Sequence, residues 1–170
     1  GGCGACREAK SVGAEPSCPV CHGTGLRAEA LAVRIGDDNI ADLLSLTAEQ
    51  FAARLREITS RLTEAEQSVS HLVRDDIRRR VRILCDMGLG HLILQRRANT
   101  LSGGQTRRVM LAAAIGSRVT GTLCLVDEPS AGLHPREMPL VIRALRRLLD
   151  QRNSVIVVDH APEMIRAADH

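Results

Sequence analysis

A chain of 170 residues, 44% of them apolar, is long enough for one domain, or for one domain and a small satellite. One Phe and no Trp or Tyr leave the core to Leu, Ile, Val and Ala, and argue against a base-stacking platform for single-stranded nucleic acid. The net charge of +3 is mild, no apolar run approaches the ~18 residues of a membrane span, and no signal segment opens the chain, which points to the cytoplasm. The basic residues are 22 Arg against the single Lys10, a skew read as genomic base composition ahead of phosphate contacts. The chain opens Gly-Gly-Cys and stops at Ala-Asp-His, and is expected to be a fragment of a longer protein.

Four of the six cysteines fall at the front as two Cys-x-x-Cys pairs, Cys3/Cys6 and Cys18/Cys21, with eleven residues between them. Each pair can form a tight turn presenting two thiolates, and two such turns make the tetrahedral S4 shell that Zn2+ fills. A Gly-, Ser- and Pro-rich lobe of this size cannot bury a core, so the metal would supply its folding energy, on the order of 10 kcal/mol. The alternative is two separate metals with ligands upstream. Four thiolates leave no vacancy for His22, and a closed S4 shell is structural. Cys85 and Cys124 sit in apolar surroundings and are expected to be inert core residues. The alternation of Leu31, Val33 and Ile35, followed by Gly36-Asp37-Asp38-Asn39, predicts a short strand and a turn.

From 37 to 100 the pattern is helical. Thr47-Ala48-Glu49-Gln50 is a capping box, and Phe51, Leu55, Ile58 and Leu62 predict a helix over 48–65. A second helix is expected over 71–87, with Leu72, Ile77, Val81 and Leu84 inward. Arg74, Arg78, Arg79, Arg80 and Arg82 crowd its other face, either as a phosphate-tracking stripe or as a solvated face balanced by Asp75 and Asp76. Gly88 and Gly90 end the helix, and Leu92, Ile93 and Leu94 anchor a connector.

The last 70 residues carry the chemistry. Ser102 is an N-cap, and Gly103 and Gly104 leave the first helical amides bare, the makings of an anion site. The alanines at 112–114 suit close packing on a sheet. Thr122–Val126 is a continuous apolar run, predicting a strand buried on both faces of a parallel sheet. Asp127 and Glu128 end it, where open α/β sheets place ligand chemistry: an Asp can hold Mg2+, and a Glu can activate a water. A helix over 137–151, with Val141, Leu145 and Leu148 on one face, leads to a second apolar strand, 154–158, ending in Asp159-His160. A His there can donate to a γ-phosphate oxygen.

Together these residues resemble the ABC-type ATPases. Leu101-Ser102-Gly103-Gly104-Gln105 resembles the signature, Val126-Asp127-Glu128-Pro129-Ser130 a Walker B strand, Ser130–His134 the D-loop, and Asp159-His160 the switch-histidine loop. Within that group the chain is most similar to the UvrA family, the excinuclease ATPases of bacterial nucleotide excision repair. Cys18-Pro19-Val20-Cys21-His22-Gly23-Thr24-Gly25-Leu26-Arg27 looks like its zinc knuckle, and Leu44-Ser45-Leu46-Thr47 stands in the place of its Met-Ser-Ile element. Asp86–Gly90, Asn99-Thr100 and Ile165–His170 match as well. Gln105 stands where UvrA usually has Glu, Arg107 where it usually has Gln, and Asp159 where Glu is common.

The resemblance implies a partial ABC-ATPase (P-loop NTPase-like) α/β domain with a helical signature insertion and a small zinc-binding lobe, divided as 1–36, 37–100 and 101–170. It implies ATP, Mg2+ and Zn2+ as cofactors. Glu128 and His160 would be catalytic; Ser102, Gly103, Gly104, Gln105 and Asp127 would contact nucleotide or its metal; Cys3, Cys6, Cys18 and Cys21 would hold zinc. The implied partners are damaged duplex DNA, a second ABC module, a homodimer partner and a UvrB-like repair protein, although eleven residues between the cysteine pairs leave no room there for an inserted UvrB-binding domain. No Gly-x-x-x-x-Gly-Lys-[Ser/Thr] occurs, so these 170 residues alone are expected neither to bind ATP tightly nor to hydrolyse it. The alternatives are a UvrA-like drug self-resistance protein, a transport-coupled ABC protein, and a zinc-stapled binding module without catalysis.

Overall fold

A computed structural model describes residues 3–8, 18–21 and 23–170; His22 lies outside them. The chain divides into two compact units, Gly1–Leu46 and Thr47–His170.

In the first unit, α1 (Gly4–Glu8) follows Cys3, and α2 (Ala28–Ala32) precedes a two-residue hairpin of β1 (Arg34–Ile35) and β2 (Asp38–Asn39). The strand expected from Leu31 onward is thus confined to Arg34–Ile35. Ala28-Glu29-Ala30-Leu31-Ala32 is made of strong helix formers, and this propensity overrides a weak alternation. Gly36, at φ +63°, makes the turn between the strands. A further helix, α3 (Ile40–Leu44), begins at a capping box. Asn39 Oδ1 accepts from the Ala41 and Asp42 amides, and the Asp42 carboxylate accepts from the Asn39 amide at 2.9 Å.

The second unit opens with α4 (Ala48–Ser60), capped by Thr47 and Gln50 as expected. It then runs α5 (Glu64–Asp86), α6 (Gly103–Gly116), β3 (Leu123–Asp127), α7 (Met138–Asp150), β4 (Ser154–Val158) and α8 (Pro162–Ala167). Helix α5 starts seven residues before the expected 71, because Thr63 and Glu66 form another capping box. Leu72, expected inward, is 72% exposed; Val81 and Ile83 are the residues α5 buries.

The core lies where α5, α6 and α7 meet the sheet. Ile83, Met87, Leu89, Leu111, Ala112, Ile115, Val141, Leu145, Leu148 and Met164 are buried together there. Of the alanine run only Ala112 is buried; Ala113 and Ala114 face outward. Strands β3 and β4 pair in parallel, Leu123 opposite Ser154 through Asp127 opposite Val158. Val126, Val155 and Val157 pack on the core, while Leu123, Leu125, Ile156 and Val158 are 50–71% exposed. The apolar run predicted a strand covered on both faces; the structure covers one. Among the described residues of this unit, the second face of the sheet stays open.

At the amino end of the sheet, buried Asn153 is fully engaged. Its Oδ1 accepts from the Thr122 amide (3.1 Å) and hydroxyl (2.9 Å), and its Nδ2 donates to the Val119 and Leu148 carbonyls. This fixes where both strands begin, and so where they end.

Candidate functional site

In the first unit, the Sγ atoms of Cys3, Cys6, Cys18 and Cys21 all lie within 4.8 Å of one another. Tetrahedral zinc with bonds of about 2.3 Å needs sulfurs about 3.8 Å apart, and Cys6 and Cys21 stand at 3.6 Å, far beyond a disulfide bond. The Gly25 amide also donates to Cys21 Sγ at 3.3 Å. The Cys18 thiol is lowered to about 7, first by the Cys21 amide and then by the Val20 amide, against a smaller upward push from burial. Amide donors to sulfur favour the thiolate, the form a metal takes. All four predicted ligands converge, which favours one shared ion over two.

In the second unit, parallel pairing puts the carboxyl ends of β3 and β4 at one edge. Asp127 closes β3 opposite Val158, so Asp127-Glu128 and Asp159-His160 leave the sheet side by side. The Glu128 amide donates to the Val158 carbonyl at 2.7 Å, holding the two exits together. Asp127, Glu128 and His160 are exposed. Glu128 has φ +41°, a left-handed conformation that costs a non-glycine residue about 1–2 kcal/mol. Such strain persists where surroundings over-determine the backbone, most often at functional sites.

Helix α6 supplies the signature residues. Ser102 Oγ accepts from the Gln105 amide, and Gln105 Oε1 accepts from the Ser102 amide at 3.1 Å. The Gln105 side chain therefore closes a capping box. The two glycines differ. Gly103 is exposed, whereas Gly104 is buried, and a Cβ on it would stand 3.3 Å from the Gly132 carbonyl oxygen and 3.2 Å from Leu133. Gly103 stands exposed at the helix start, where a Cβ would lie 3.8 Å from Arg107 Nη1, and Gly104 admits the 130–133 loop.

Arginines complete that packing. Arg107 donates to the Ala131 carbonyl at 2.8 Å. Arg108, buried, donates to the Met87 carbonyl at 3.1 Å and pairs with Glu137 at 3.0 Å. Sequence reasoning gave Arg108 no role, yet a signal existed: positions 104, 108, 111, 112 and 115 form one helical stripe, and Arg108 falls on its buried side. Asp159 was noted only as a departure, but its carboxylate accepts three hydrogen bonds and links the two exits. Burial pushes the Asp159 carboxyl up, but the Ser130 hydroxyl and the Ala161, Ser130 and His160 amides together outweigh it and lower the pKa.

The arginine face of α5 is partly paired locally, with two aspartates against its five arginines. Arg79 and Arg80 both pair with Asp76, Arg78 lies 3.8 Å from Asp75, and Arg79 also donates to the Gly116 carbonyl. This favours the solvated-face reading of the cluster.

No family model matches the chain. It is 41% identical over 152 residues to UvrABC system protein A of Thermus thermophilus and 43% identical over 157 residues to that of Methanothermobacter thermautotrophicus. These alignments take in 89% and 91% of the chain but 16% of each relative, so the chain spans about a sixth of the length of the curated relatives it matches. Among solved structures, UvrA2 from Deinococcus radiodurans superposes with a TM-score of 0.78 at 36% identity, covering 89% of this chain and 20% of that one. The zinc-type cysteine cluster, the sheet edge and the signature helix thus stand within a likeness that runs through nearly the whole chain, and the chain belongs to the UvrA family of ABC-type ATPases.

Proposed function

We propose that this chain is the part of a UvrA-type protein that supplies one half of a composite ATPase site for nucleotide excision repair of damaged DNA. The observation that carries the reading is the sheet edge, where Asp127-Glu128 and Asp159-His160 emerge together beside a signature helix, in a chain 41% identical to UvrABC system protein A. Glu128 orients and deprotonates the attacking water. His160 donates to a γ-phosphate oxygen. Asp127 is the residue that would hold Mg2+, whose charge offsets that of the phosphates when nucleotide is bound. Ser102 and the exposed start of the helix at Gly103, with Gly104 and Gln105 behind it, face the phosphate of a nucleotide held by another ABC module, in the same chain or in a dimer partner. The four cysteines hold a structural Zn2+, in keeping with a reducing cytoplasm. The partners of the whole protein are DNA and a UvrB-like repair protein.

The DNA reading is tested with the full-length protein on duplexes with and without a bulky lesion, titrated across salt with and without ATP. Tighter binding to the damaged duplex, modulated by ATP, is expected, with affinity falling steeply as salt rises. Equal weak binding to both duplexes, insensitive to ATP, would remove the repair assignment.

A further inference from the structure

We infer that Asp159 is a positioning residue that holds the Glu128 and His160 segments in register through Ser130. The inference rests on the ATPase reading above.

Two oxygens of one carboxylate take three donors from two loops. Asp159 Oδ2 accepts the Ser130 amide at 2.9 Å; Oδ1 accepts the Ser130 hydroxyl at 2.6 Å and the Ala161 amide at 2.9 Å. Charge-assisted bonds of this kind are roughly twice as strong as neutral ones. Ser130 is 8% exposed behind fully buried Pro129, so its hydroxyl is turned inward to Asp159.

The consequence falls on Glu128. The Ala131 amide donates to the Glu128 carbonyl at 3.1 Å, and the Glu128 amide donates to Val158, so residues 128–131 form one tight turn at the end of β3. One end of that turn is tied to β4 and its middle is tied to Asp159, next to His160. Glu128 holds its left-handed backbone between these ties. Arg107 reaches the same turn from α6 through the Ala131 carbonyl. A carboxylate is specifically needed. In an amide, one of the two oxygens becomes an NH2 group, which must face either the Ser130 or the Ala161 amide, so the turn has to move.

The test is ATP turnover by the full-length protein carrying Asp159→Asn, Ser130→Ala, both together, Asp159→Glu or Glu128→Gln. A misplacement of about 1 Å costs on the order of a hundredfold in rate, so Asp159→Asn should lower kcat at least ~10-fold with KM for ATP within ~2-fold. Ser130→Ala should lower kcat less, at unchanged KM, and the double variant should be no worse than Asp159→Asn alone. Asp159→Glu, which restores both acceptors, should recover part of the loss. A kcat for Asp159→Asn within ~2-fold of the parent, or independent effects of the two substitutions, overturns the inference. If Asp159→Asn does not fold, Ser130→Ala, which keeps the carboxylate and its Ala161 bond, decides it: an unchanged kcat overturns. Turnover unaffected by Glu128→Gln refutes the ATPase reading itself; loss there with a silent Asp159→Asn refutes only the positioning role.

Discussion

At Glu128 the backbone and the side chain pull in opposite directions. A left-handed φ favours glycine, yet the position carries a carboxylate at the edge where a water would be activated. Glu128→Gly in the full-length protein should leave unfolding free energy unchanged or raise it by up to ~1 kcal/mol, read by urea denaturation, while turnover is lost. A destabilised glycine variant would show that the conformation carries no strain. At Cys18 the amides of Cys21 and Val20 bring the thiol to about 7 from an ordinary value near 9. A lowered thiol contributes stability that is fully present above its ordinary pKa and is lost as pH falls through about 7. Zinc retention against a chelator should weaken as pH falls, because protons compete with the metal for the thiolates, and Cys18→Ser should lower zinc content measured by elemental analysis. The burial-raised Cys85 thiol, by contrast, favours its protonated form and suits an inert residue.

Among the elements, caps and faces decide the outcome. Thr63 starts α5 seven residues before the apolar periodicity makes it visible; Thr63→Ala should cost about 1 kcal/mol, seen as a lowered urea midpoint with loss of helical signal. Thr63-Glu64-Ala65-Glu66 carries the capping-box pattern in plain view, but Ser68 and Ser70 follow it and resemble a loop. The Ser70 hydroxyl instead bonds back to the Glu66 carbonyl, inside the helix. Helices α4 and α6 were legible because cap and periodicity agree there, and α7 because Val141, Leu145 and Leu148 repeat at helical spacing. The stretch 28–32 was not, because its alternation and its helix propensity disagree. Both strands were legible as strands, but their burial was not, since an apolar run does not say which chain covers each face. Leu148→Ala, at 2% exposed, should cost 2–5 kcal/mol by the usual cavity scale, whereas Leu125→Ala, 71% exposed, should cost less than ~0.5 kcal/mol in these 170 residues. Comparable losses at both positions would mean that the second face is already covered.

For the whole molecule, chemistry and completeness part company. The sheet edge carries the residues proposed to activate water and read a phosphate, and the signature helix opens at Gly103, but the sequence contains no phosphate-loop motif. Motif spacing in the sequence was enough to propose Asp127, Glu128, His160 and the four cysteines, and the structure brings the first three to one sheet edge and the cysteines into one cluster. The bracing residues Asp159, Ser130, Arg107 and Arg108 needed coordinates, because their bonds cross between elements far apart in sequence. The purified 170-residue chain should show no ATP turnover. The most direct test of the account is steady-state ATP hydrolysis by the full-length protein with Glu128→Gln, alongside nucleotide binding by the same variant. Turnover should fall by ~10²–10⁴-fold while ATP is still bound. Turnover within ~2-fold of the parent would contradict the assignment of Glu128 and of the sheet edge as the site of chemistry.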